Sequence, residues 1–122
     1  VATNKEQEKR AEGEAAIQAS IEAMNGLDKE IGQKLHPIIS ENAPNLMPKT
    51  WYGMPAYANK EGKIVCFFRP AQRFNDRFLT LGFNDIANLD DGDMWPLSYA
   101  VKELTPAVEQ QIAELIKRAA SE

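Results

Sequence analysis

One histidine and one cysteine among 122 residues are too few for several classes of chemistry. A site built on two imidazoles cannot form around His36 alone, and thiolate zinc centres need more sulfur than Cys66 supplies. A single cysteine forms no internal disulfide, which suits a reducing compartment. No apolar run approaches the ~20 residues of a membrane-spanning helix, and the opening "VATNKEQEKRAEGE" lacks the apolar segment that drives export. The expectation is a cytosolic protein that contacts no membrane. Glycines occur only singly, so neither the dinucleotide-binding fingerprint nor the phosphate loop is present, and hydride transfer and nucleotide hydrolysis have no motif behind them. No nucleophile stands beside an evident base, which argues against an enzyme.

The composition is that of an ordinary globular domain, 43% hydrophobic and 26% charged. A chain of this length buries about 65% of the surface it exposes when unfolded, enough for one core without a metal or disulfide staple. Residues 1–122 therefore read as a single domain, with the charged, apolar-poor residues 1–13 as a frayed extension. The net charge of −4 is local: Asp85, Asp90, Asp91 and Asp93 crowd a stretch without Lys or Arg. Between positions 49 and 77, Lys49, Lys60, Lys63, Arg69, Arg73 and Arg77 outnumber Glu61 and Asp76. Such a strip suits a small anion, whereas an acidic domain is a poor nucleic-acid binder.

Hydrophobic spacing predicts the elements. Ile17, Ile21 and Met24 recur as in a helix from about Glu14, stopped at Asn25-Gly26. A second helix should follow Asp28, whose carboxylate can cap its first turn, with Ile31, Leu35 and Ile38 or Ile39 inward. Pro37 predicts a kink or break near His36, and Pro44 and Pro48 end the helix. Every aromatic residue lies between Trp51 and Tyr99, where the pattern turns to strands. A hairpin turns at Asn59-Lys60-Glu61-Gly62 into strand 63–69, with Ile64, Cys66 and Phe68 on one side and Val65 and Phe67 on the other, as in a central strand. Segments 77–83 and 97–104 are further strands. Thr105 and Pro106 open a last helix whose stripe is Val108, Ile112, Leu115, Ile116 and Ala119. Helices, then strands, then a helix imply an α+β fold: an antiparallel sheet of four to five strands with N-terminal helices and a C-terminal helix packed on it.

Two places can carry function. In "TWYGMPAY", Gly53 needs unusual backbone angles or admits a close neighbour, and Pro55 places the segment at a sheet edge or strand break. Trp51, Tyr52, Met54 and Tyr57 are expected to line one wall of a ligand pocket whose mouth carries Arg69, Arg73 or Arg77, or else to form the sheet's core and rim. The acidic loop fails as an EF-hand, because aligning Gly92 puts Ala87 and Leu89 at ligand positions. Asp85, Asp90, Asp91 and Asp93 remain a looser carboxylate set for a hard cation, or a solvated turn at Asp91-Gly92. His36 reads as a partly exposed structural residue, and Cys66 as a buried small hydrophobe with a raised pKa.

The segments "PKTWYGMPAY", "GKIVCFF", "LTLGF", "ANLDDGDMWP" and "YAVKELTPAVEQQIAELIKRA" resemble, in order and spacing over 35–119, the YdhG-like family of small bacterial domains of unknown function. The resemblance implies an α+β fold and a bacterial cytosolic protein. One branch of that family is described as a frataxin-like iron chaperone that donates iron for cluster and haem assembly, which would make weakly bound iron the cargo. The expected function is a binding or carrier domain for iron or a small anionic metabolite. The alternative is a protein-interaction or homodimer module with exposed aromatics such as Trp95 at its contact patch.

Overall fold

The computed structural model describes residues 4–121. Two helices, α1 (Asn4–Glu22) and α2 (Gly26–Asn42), precede strands β1 (Met47–Trp51), β2 (Met54–Ala58) and β3 (Ile64–Arg69). A single turn of helix, α3 (Ala71–Phe74), leads to β4 (Leu79–Phe83) and β5 (Ser98–Val101), and α4 (Pro106–Ala120) closes the chain. The fold is α+β. Five strands form one antiparallel meander in the order β1-β2-β3-β4-β5. Each strand pairs with its neighbour in sequence, the arrangement short turns dictate.

The helices pack on one face of this sheet. Ile17, Ile21, Ile31, Leu35, Ile39, Ile112 and Ile116 meet Tyr57, Cys66, Phe68, Leu79, Leu81 and Val101 in one core. On the other face Trp51 and Phe67 cover Ala56, Ala58 and Ile64, with the Trp51 and Phe67 rings edge to face at 5.2 Å. Phe67 also lies over Gly82, its cross-strand partner, in space a Cβ would occupy. The central strand is therefore apolar on both faces, as its sequence indicates.

Several elements differ from expectation. Residues 1–3, the start of the presumed frayed extension, lie outside the described residues; from Asn4 the chain is helical, ten residues ahead of Glu14. This segment has almost no apolar stripe of its own and is held by docking: Arg10 donates to the Leu46 carbonyl at 3.0 Å, and Gly13 lies against the Pro48 carbonyl. Pro37 does not break α2, which runs on to Asn42. Pro37 and Gln33 both lie on the exposed side of α2, where the carbonyl that loses its donor is not shut away from solvent by the core.

Pro55 sits inside β2, between β1 and β3, yet the ladder to β3 begins only at Ala56, so its missing N–H interrupts no pairing there. A register shift at Tyr57/Ala58 sends Val65 into the helix-covered core and Ile64 to the opposite face, so Ile64 does not share a side with Cys66 and Phe68. Only α4 follows its sequence signals throughout. Val108 donates its backbone N–H to Thr105 Oγ1 at 3.2 Å, Pro106 opens the helix, and Lys117 and Arg118 close it.

Candidate functional site

Tyr52 and Gly53, with φ of 51° and 76°, are the central residues of a two-residue hairpin turn between Trp51 and Met54. Both central positions require left-handed backbone, the geometry whose twist matches two antiparallel strands. This turn is the rigid corner that "TWYGMPAY" forms. It divides the side chains assigned to one pocket wall. Tyr52 is 75% exposed at the tip, Met54 is buried opposite Trp51, and Tyr57, 2% exposed, enters the helix-covered core. Trp51 belongs to the other face of the sheet. Only Tyr57 leaves the expected wall: Trp51 and Tyr52 keep their ring centroids 5.1 Å apart and Met54 pairs with Trp51 across the hairpin, whereas alternation along β2 turns Tyr57 to the helix side.

Arg69 and Arg73 share the Phe74 ring, and Arg77 lies apart from them on Phe78. Arg69 donates from Nε to Asp76 at 2.7 Å and stacks on Phe74 at 4.3 Å. Arg77 lies over Phe78, 5.1 Å from the ring centroid. Arg73 alone reaches the hairpin corner. Its guanidinium covers Gly53, where a Cβ would stand 2.5 Å from Nη1, and its carbon lies 4.9 Å from the Phe74 centroid. Among the described residues Arg73 has no carboxylate partner.

Beside Arg73 opens a cleft of about 360 Å³. Ser20, Ala23 and Met24 at the end of α1, Asp28 on α2, Gly53 of the hairpin, and Pro70 and Gln72 around α3 line it. Ser20 Oγ donates to the Gly53 carbonyl at 2.8 Å, tying α1 to the hairpin. Asp28 does not cap its own helix. Its two carboxylate oxygens accept the N–H groups of Ala71 at 3.1 Å and Gln72 at 3.0 Å, so a residue on α2 satisfies the free donors of α3, 43 positions away. The chain enters α2 three residues earlier than expected, at Gly26, and Asn25 makes no side-chain cap there. An Asp near a helix start reads as a local cap in sequence, and nothing in the sequence marks the more distant partner.

A second polar group lies deeper. His36, 4% exposed rather than partly exposed, joins Glu14 on α1 to Tyr57 on β2. The Tyr57 hydroxyl and His36 Nδ1 share a hydrogen bond of 2.7 Å, and His36 Nε2 meets Glu14 Oε2. Burial first, then the nearby Cys66 and Glu14, push the Tyr57 pKa well above its ordinary value, and burial alone raises that of Cys66. Phenol and thiol thus keep their protons, and neither reaches solvent to attack a substrate. The Glu14–His36–Tyr57 chain is a clasp between α1, α2 and the sheet.

Asp85, Asp90, Asp91 and Asp93 all lie exposed on the β4–β5 connection. Among the described residues no group of three His, Cys, Asp or Glu side chains is placed to hold a metal ion, and no helix is long and apolar enough to cross a membrane. No protein family, curated protein or solved structure matches the chain.

Proposed function

We propose that the chain is a non-enzymatic binding or carrier domain for a small anionic metabolite, held at the cleft beside Arg73. One observation carries this reading: a guanidinium braced by Gly53 and Phe74 borders a cleft of about 360 Å³ and has no carboxylate partner among the described residues. A planar fork held in place loses little freedom when it meets a carboxylate or phosphate, and a volume of this size fits a metabolite rather than a macromolecule. Thermal unfolding with a panel of small carboxylates and phosphates tests it. At least one anion should raise the melting temperature with rising concentration, as ligands of the native state do. Arg73→Met should abolish the rise while changing the unliganded stability by less than about 0.5 kcal/mol, the usual range for an exposed position. A panel without any rise, or an unchanged rise in the variant, removes the reading.

A second reading, self-association along the sheet edge, is favoured by β5, an edge strand of the sheet among the described residues, and by Met94, 89% exposed on the loop that leads to it. Light scattering distinguishes the two. A dimer that Met94→Lys dissociates would favour the interaction module, and a monomer at every concentration would remove it.

A further inference from the structure

We infer that the ligand of the Arg73 cleft is a zwitterion, a small α-amino acid with an apolar side chain, whose carboxylate meets Arg73 and whose ammonium meets Asp28. This inference rests on the anion site proposed above and narrows its chemistry.

Asp28 carries the argument. It lines the same cleft as Arg73 and is only 7% exposed, yet among the described residues no Lys, Arg or His pairs with it. Among the described residues its partners are the two backbone N–H groups of Ala71 and Gln72. A carboxylate offers about four acceptor directions, so about two remain, and a largely buried anion held only by neutral donors favours a cation. Arg73 does not serve as that cation, since no ion pair joins the two.

One cleft therefore presents an unneutralised charge of each sign. A simple carboxylate would gain Arg73 but face Asp28, and a simple amine would gain Asp28 but face Arg73. A molecule bearing both groups satisfies both, and both contacts are charge-assisted hydrogen bonds. Ala23, Met24 and Pro70 give the lining its apolar part, which suits an aliphatic side chain.

The test compares three probes of similar carbon skeleton: L-leucine, 4-methylpentanoate, which lacks the amine, and 3-methylbutylamine, which lacks the carboxylate. Affinity is read by thermal shift and by the amide signals of Gly53 and Gln72. L-Leucine should bind about tenfold or more tighter than either analogue, the effect of one charged hydrogen bond. Arg73→Met and Asp28→Asn should each remove about that advantage. If 4-methylpentanoate binds as tightly as L-leucine, the anion site stands and the role of Asp28 is overturned. If 3-methylbutylamine binds tightest, both readings fall; if no probe binds, the amino-acid reading falls and the panel of carboxylates and phosphates decides the anion site. Asp28→Asn also weakens the cap on α3, so the comparison of the three probes on the unaltered protein decides the matter even if that variant does not fold.

Discussion

Gly53 illustrates how one residue can be fixed by two independent constraints. Its φ of 76° is open to glycine at little strain, and the space a side chain would take is filled by the Arg73 guanidinium. Gly53→Val meets both. The backbone strain alone should destabilise the fold by about 1–3 kcal/mol, and displacing Arg73 should also weaken any anion binding. Urea unfolding measures the first effect and the anion panel the second; an unchanged midpoint would mean that the corner tolerates another geometry. The need for glycine in "TWYGMPAY" is legible from the Gly-Met-Pro step. The arginine that covers it is not, because Arg73 lies beyond two strands and their turn. His36 shows the opposite failure. A lone histidine before a proline gives no sign that Glu14 and Tyr57 will meet its two nitrogens.

At the scale of elements, α1 and α4 form a contrast. The apolar stripe, the Thr105 cap and the cationic last turn of α4 are local signals, and the helix lies where they place it. The first half of α1 has no such stripe, and it is ordered by Arg10, by the clasp at Glu14 and by the close passage of Gly13 over β1. Gly13→Ala tests this dependence, because two effects of opposite sign compete. Helix propensity favours alanine by about 1 kcal/mol. Against it, the new Cβ would collide with the Pro48 carbonyl, a backbone atom that cannot rotate away. The collision should win, giving a net loss of about 1–3 kcal/mol in chemical denaturation, typical of overpacking. A stabilised variant would mean that α1 docks loosely enough to slide along β1.

For the whole molecule, the two buried acids Tyr57 and Cys66 make stability depend on alkaline pH. Both pKa values are raised on folding, from ordinary values of 10.0 and 9.0. Below the ordinary values both groups are protonated whether the chain is folded or not, so their contribution is fully present. As pH rises past 9.0 and then 10.0 the unfolded chain loses protons that the native protein keeps, and stability falls. Each group contributes a slope of up to about 1.4 kcal/mol per pH unit. Denaturant unfolding from pH 8 to about 11 should show this decline. A Tyr57→Phe, Cys66→Ala double variant, although less stable at neutral pH, should lose stability less steeply over that range. Equal slopes would place the alkaline sensitivity elsewhere.

The sequence by itself determined the α+β class, the order of the main helices and strands, the central position of 64–69 and the whole of α4, because periodicity, turns and caps act over a few residues. Tertiary structure alone decided what the polar residues do. Asp28 caps a helix 43 positions away, His36 closes a buried clasp, and Arg73, rather than Arg69 or Arg77, reaches the cleft. The shift at Tyr57/Ala58 also moves Ile64 to the face opposite Cys66 and Phe68. The physical reason is range. Hydrophobic alternation repeats along the chain and can be read from it, whereas a hydrogen bond or ion pair depends on which distant segments the packed core brings within about 3 Å of one another.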